Sequence, residues 1–124
     1  MADTILLVED QTLVRLALAH HLEECGYNVL EAEDADQALI LLERHPEIDV
    51  VFTDVQMPGS MDGLGLARWV VEHRPRIAVM VTSGHTAQET LAKELCQAKA
   101  FSKPYDFGEV TLHIREAIQA LKLN

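Results

Sequence analysis

Short apolar runs of strand length alternate along the chain with segments whose apolar residues recur at helical spacing, and this alternation occurs five times. The runs predict five β-strands, at about residues 4–9, 28–32, 48–53, 77–82 and 99–102. Two helical stripes are especially clear, one of Ala35, Ala38, Leu39 and Leu42, the other of Val110, Ile114, Ala117, Ile118 and Leu121. Repeated βα units of this kind form a parallel sheet that is covered by helices.

Start and stop signals support the same segmentation. Gly26 follows the first predicted helix as a C-cap, and Pro46 and Pro75 close the second and third. Capping-box spacing precedes the second, fourth and fifth helices, in Asp34 with Gln37, Thr86 with Glu89, and Asp106 with Glu109. Right-handed crossovers then favour a doubly wound α/β fold of flavodoxin-like type, with five helices and the strand order 2-1-3-4-5. The switch point, where the strand order reverses and ligands bind in such sheets, lies between strands one and three.

Composition narrows the class of protein. The chain has 124 residues, of which 48% are hydrophobic, so we expect a single domain over residues 1–124 with one real core. The formal net charge of −10 argues against direct binding to nucleic acid or to anionic membranes. Strand-sized apolar runs and the lack of a signal peptide pattern predict a cytoplasmic protein. Cys25 and Cys96 are expected to be reduced and buried or half-buried.

Three carboxylates follow two of the predicted strands. Glu9 and Asp10 come after the first strand, and Asp54 comes after the third. The ends of parallel strands share one sheet edge, so these acids should converge. Two like charges about 4 Å apart repel by about 4 kcal/mol at an effective dielectric near 20, so the cluster needs a cation. Mg²⁺ suits it, with Asp10 and Asp54 as ligands and Glu9 acting through water.

Each of these residues also has a plainer interpretation. Adjacent residues of a regular strand face opposite ways, so Glu9 and Asp10 can both serve only if the strand ends there; otherwise one of them caps the first helix. Asp54 alone can be a turn-forming residue. Lys103, after the fifth strand, can be a solvated charge, and Ser83 before a glycine can mark the end of the fourth strand.

Taken together, these strand-end residues resemble the phosphoacceptor site of the receiver domains of two-component response regulators, which have the CheY-like fold. The most specific local match is the loop after Asp54, with Met57 and Pro58 followed by Met61, Asp62 and Gly63. The resemblance covers nearly the whole chain. It implies that Asp54 attacks a phosphoryl group to form an acyl phosphate in a reaction that depends on Mg²⁺. It also implies a signalling domain that catalyses only its own phosphorylation and dephosphorylation.

The same resemblance implies roles for further residues. The backbone carbonyl of Gln56 would complete the metal shell, and the Lys103 ammonium would pair with the acceptor and then with the phosphoryl oxygens. Ser83 is chosen as the hydroxyl that binds the phosphoryl group, because Gly84 behind it leaves room; Thr82 is the alternative.

Partners follow from the resemblance as well. The implied donor is a sensor histidine kinase or a histidine phosphotransfer protein, and the implied recipient of the signal is a downstream effector protein. The switch surface would consist of the fourth predicted helix, the fifth strand and the fifth predicted helix. That surface is also the candidate for a homodimer contact.

The sequence departs from the family pattern in two places. Gly59 and Ser60 make the loop after the acceptor one residue longer than usual. Ala100 stands where the family often has an aromatic residue, and Phe101 comes one residue later. These departures keep open a degenerate receiver that acts as an interaction module without being phosphorylated.

Two other classes of protein share part of this pattern, and each lacks one expected feature here. A flavodoxin-like cofactor binder should carry a phosphate loop after strand one, which residues 11–13 do not supply. A phosphatase with an aspartyl intermediate usually has a second Asp two residues after the nucleophile, where this chain has Gln56. The chain ends three residues after Leu121, so a stand-alone receiver is expected, with a receiver excised from a larger regulator or hybrid kinase as the alternative.

Overall fold

The computed structural model describes residues 3–54, 59, 61–83, 98–102 and 106–122. In this part of the chain the elements are β1 (Thr4–Val8), α1 (Thr12–Glu24), β2 (Asn28–Ala32), α2 (Ala35–Arg44), β3 (Ile48–Asp54), α3 (Gly63–His73), β4 (Ala78–Ser83), β5 (Ala98–Ser102) and α4 (Phe107–Lys122). Each strand limit lies within one residue of its predicted position. The fourth predicted helix lies outside the described residues, so α4 is the fifth helix of the sequence prediction.

The strands form a parallel sheet in the order β2-β1-β3-β4-β5, which confirms the predicted doubly wound fold. Because β1 lies between β2 and β3, neighbouring connections diverge at the β1/β3 edge, as predicted. The register places Val8 beside both Ala32 and Thr53, and Asp54 beside Thr82. The ends of β1, β3 and β4 therefore lie in one row at the same edge of the sheet.

The core consists of two layers, one on each face of the sheet. Leu6, Val8 and Val51 pack with α2 and α3 on one face. Ile5, Leu7 and Phe52 pack with α1 and α4 on the other face. Successive strand residues alternate between faces, and both faces are covered, which is why the central strands are almost uniformly apolar. The two helical stripes lie where they were predicted, on α2 and α4.

Helix ends follow the local signals in the sequence. Asp34 Oδ1 accepts a hydrogen bond from Gln37 N at 2.9 Å and caps α2. Gly26 has φ +97°, and the Tyr27 N–H donates to the Leu22 carbonyl at 3.2 Å, which ends α1 in a Schellman turn. The helices α2 and α3 end shortly before Pro46 and Pro75. Asp106 Oδ1 accepts from Gly108 N at 2.8 Å at the start of α4.

Cys25 is a free thiol, as predicted, but the prediction that it is buried or half-buried was wrong, because it is exposed. It is the C-cap residue of α1, where the chain leaves the helix and turns back toward β2. The spacing of apolar residues that buries α1 does not extend to this turn. Cys96 lies outside the described residues. None of the helices described by the structure is long and apolar enough to cross a membrane.

Candidate functional site

Three carboxylates converge at the β1/β3 edge of the sheet, as the sequence predicted. Oxygens of Glu9, Asp10 and Asp54 all lie within 4.8 Å of one another. Glu9 and Asp54 are 2% and 7% exposed, whereas Asp10 is open to solvent. Three hard oxygen donors with net negative charge are the ligand type that hard divalent cations take. The residues present therefore fit a metal ion.

The backbone turn after β1 explains how adjacent acids can share the site. The strand ends at Val8, and the Glu9 N–H still donates to the Ala32 carbonyl at 3.0 Å. The Glu9 carbonyl, however, accepts from Arg15 NH1 at 2.9 Å, and the chain turns into α1. Glu9 Oε2 accepts from Gln11 N at 3.2 Å, and Gln11 is the N-cap of α1. Neither acid is therefore the N-cap residue that the plainer interpretation required.

Asp54 lies between this turn and a buried hydroxyl. Thr82 of β4 is its register partner, and register partners of a parallel pair share one face of the sheet. Thr82 is 1% exposed, and its Oγ1 has no hydrogen-bond partner within the described part of the structure. On the other side of the backbone, Thr53 Oγ1 donates to the Asp54 carbonyl at 3.0 Å. Ser83 lies one register position beyond Thr82, opposite Ser102.

Part of the predicted site lies outside the described residues, namely Gln56, Lys103, Gly84, the Met57–Pro58 pair and Ser60. Within the same loop, Gly59 is exposed and has φ +107°, a left-handed conformation that favours glycine. Asp62, part of the receiver-like motif, caps α3 by accepting from Gly65 N at 2.8 Å. The motif thus includes a helix start signal.

Arg15 was not singled out from the sequence, yet it lies directly behind the acids. It is 8% exposed and shares the buried stripe of α1 with Leu18, Ala19 and Leu22. An arginine at a position where the helical period requires an apolar residue is the signal that would have identified it. Its guanidinium also reaches Glu31 and Glu33, with N–O distances of 3.2 and 3.7 Å.

The outer face of α1 exposes apolar side chains and begins next to the acids. Leu13 and Leu16 are 83% and 51% exposed. With the exposed Ala17 and His20 they follow i, i+3, i+4, i+7 spacing, so they form one stripe, which we call the α1 outer face. Exposed apolar surface of this kind beside a polar site is typical of a protein contact.

A cavity lies at the other edge of the sheet, far along the strands from the acids. It has a volume of about 810 Å³, and its wall includes Asp49, Arg74 and Lys122. Asp49 accepts from Thr4 N at 3.0 Å, and Lys122 pairs with Asp3 at 3.4 Å. Arg74 NH2 donates to the Leu42 carbonyl at 3.0 Å, so each of these three wall groups has a partner within the protein.

Comparison with known proteins agrees with this geometry. The sequence model of the response regulator receiver domain matches residues 5–115. Sporulation initiation phosphotransferase F of Bacillus subtilis is 32% identical over 122 residues, which cover 96% of this chain and 93% of that protein. The sensor kinase CckA of Brucella abortus is 33% identical over 120 residues, which cover 94% of this chain but only 12% of the kinase. For most of the first curated relatives the match spans less than a third of their length.

The fold is matched by solved structures as well. The signal receiver domain of an HD domain-containing protein from Pseudomonas fluorescens superposes with a TM-score of 0.89 at 28% identity, covering 100% of both chains. The match of the sequence model extends from β1 into α4, and the acid cluster lies within it. The chain therefore belongs to the response regulator receiver domain family, the phosphoacceptor signalling domains of two-component systems.

Proposed function

We propose that this receiver accepts a phosphoryl group on Asp54 in a Mg²⁺-dependent reaction. The observation that carries the proposal is the convergence of Glu9, Asp10 and Asp54 within 4.8 Å at the switch point of the sheet. The donor would be a histidine kinase or a histidine phosphotransfer protein. Asp54 Oδ attacks phosphorus, the new P–O bond forms while the P–N bond to the donor imidazole breaks, and the imidazole leaves.

The acids would hold the ion in the following way. Asp10 and Asp54 are direct ligands, Glu9 acts through water, and the Gln56 carbonyl supplies a backbone oxygen. When bound, Mg²⁺ supplies positive charge that offsets the charge on the attacked phosphoryl oxygens. Burial of Glu9 and Asp54 supports this assignment, because it strengthens their repulsion when no cation is present.

Thr82 is our proposal for the hydroxyl that binds the phosphoryl group, in place of Ser83. Its register position beside Asp54 and its buried, unpartnered Oγ1 within the described structure both support the change. A buried hydroxyl without a partner costs about 1–3 kcal/mol, and a phosphoryl oxygen would satisfy it. Lys103 remains the proposed cation for the phosphoryl oxygens.

Further proposals concern partners and context. Residues 1–124 form one cytoplasmic receiver that turns over no other substrate. The α1 outer face would dock the phosphoryl donor, because it is apolar and begins beside the acids. The switch surface for an effector, or for a second copy, would be the fourth predicted helix with β5 and α4. The net charge of −10 supports a protein partner over nucleic acid.

The test is the intact mass of the protein after incubation with Mg²⁺ and acetyl phosphate. Wild type should gain one labile phosphoryl group, and Asp54→Asn or chelation of Mg²⁺ should abolish the gain. Glu72→Gln removes an exposed carboxylate of α3 and should leave the gain unchanged. No gain with any donor would indicate an interaction module that works without phosphorylation. A gain that survives in Asp54→Asn would mean that another residue is the acceptor.

A further inference from the structure

We propose that Arg15 is a positioning residue for the cation site, acting through the backbone of Glu9. This inference rests on the proposed function, because it concerns the same Mg²⁺ site. Arg15 NH1 donates to the Glu9 carbonyl at 2.9 Å, at the residue where β1 pairing stops. It thereby holds the turn that lets Glu9 and Asp10 both lie near Asp54.

Glu9 is constrained at three points. Its N–H donates to Ala32 of β2, its carbonyl accepts from Arg15, and its carboxylate accepts from the Gln11 N–H. The first of these bonds continues the β1/β2 ladder, while the second takes the carbonyl out of strand pairing. Without Arg15, the Glu9 carbonyl loses the hydrogen bond from the guanidinium, which anchors the turn.

Arginine suits this position because one guanidinium can serve three acceptors. Its Nε reaches Glu31 Oε1 at 3.2 Å and its NH2 reaches Glu33 Oε1 at 3.7 Å, while NH1 remains for the Glu9 carbonyl. The planar fork fixes these directions, which a lysine ammonium cannot do. The two glutamates also compensate a cation whose side chain is only 9% exposed.

Arg15 therefore links the end of β2 to the carboxylates that are proposed to bind Mg²⁺, and it does not itself contact the ion. Groups that orient metal ligands in this indirect way typically contribute about 10–100-fold to metal affinity. Of the two ion pairs, the one with Glu31 contributes more to holding the Arg15 guanidinium in place, because Glu33 is 62% exposed and its distance to Arg15 is longer. The loss of Arg15 should thus appear in Mg²⁺ affinity and not only in stability.

The experiment is an amide NMR titration with Mg²⁺ at constant ionic strength, which reports the Kd of folded molecules alone. Arg15→Gln should raise the Kd about tenfold or more, and Arg15→Lys should raise it by a smaller factor of about three. Glu33→Gln should change it less than about twofold. Ile118→Val, a core change on α4, lowers stability without touching the site and should leave the Kd unchanged.

The outcomes separate this inference from the proposed function. If wild type binds Mg²⁺ and both Arg15 variants bind it equally well, the inference is wrong and the proposed function stands. If wild type binds no Mg²⁺, both fail. If Arg15→Gln does not fold, Arg15→Lys decides: a raised Kd supports the inference and an unchanged Kd overturns it.

Discussion

Asp54 and Thr82 are register partners at the ends of β3 and β4, and both are buried. The carboxylate belongs to an acid cluster, while the hydroxyl has no hydrogen-bond partner in the described part of the chain. Within the described residues the hydroxyl is desolvated without a bond, and the carboxylate belongs to a cluster of like charges that repel one another in the absence of a cation. Substitutions that remove these groups should stabilise the protein and impair its proposed reaction.

Thr82→Val should raise the free energy of unfolding by about 1 kcal/mol, because it removes a buried hydroxyl that bonds to none of the residues described by the structure. Thr53→Val is the matched control: Thr53 is 0% exposed and donates to the Asp54 carbonyl, so its loss should cost about 1 kcal/mol. Urea unfolding followed by Trp69 fluorescence measures both. Equal destabilisation by the two variants would show that Thr82 has a partner within the protein. With acetyl phosphate, Thr82→Val should accumulate less phosphoprotein than Ser83→Ala.

Asp54→Asn should stabilise the protein by about 1–3 kcal/mol in the presence of a chelator, because it removes one charge from a cluster of like charges. Mg²⁺ should stabilise wild type and have little effect on the variant, since ligand binding to the folded state raises its stability. Urea unfolding with chelator and with MgCl2 gives both values. Glu72→Gln should change stability by less than about 0.5 kcal/mol in either condition. A destabilised Asp54→Asn would argue that the cluster is not strained.

Leu16→Ser should slow phosphotransfer from a phosphorylated histidine phosphotransfer domain about tenfold, because it removes apolar contact area from the α1 outer face. The rate with acetyl phosphate should not change, since that donor needs no docking surface. Ile40→Ser on α2 is the control: Ile40 is also 51% exposed, and α2 packs on the opposite face of the sheet from α1. If both variants slow the protein donor equally, the effect is general and α1 is not the docking face.

Gly26→Ala should lower the free energy of unfolding by about 1 kcal/mol, because Gly26 has φ +97° at the end of α1. Nothing lies within 4 Å of the added Cβ, so the cost is conformational and not steric contact with neighbours. Gly26→Asn should cost less, since asparagine tolerates this region better. Thermal unfolding of the three proteins checks the order, and an alanine variant as stable as wild type would contradict it.

Much of the fold could be predicted from the sequence, for local reasons. Apolar residues that recur every two residues mark strands, and those that recur about every 3.6 residues mark helices. Capping residues such as Asp34 and Gly26 mark helix ends. The right-handed crossover rule then leaves few strand orders, and the observed order is the predicted one. The convergence of Glu9, Asp10 and Asp54 follows from that order, because it brings the ends of β1 and β3 together.

The architecture, the family and the acid cluster could all be predicted from the sequence, since they depend on periodicity and on strand order. Only the tertiary structure distinguished Thr82 from Ser83 as the neighbour of Asp54, because strand register is set by packing between elements and one residue changes it. It also revealed Arg15, whose partners Glu31 and Glu33 belong to another part of the chain. The role of a buried cation in an otherwise apolar helical stripe depends on the acids that folding brings next to it.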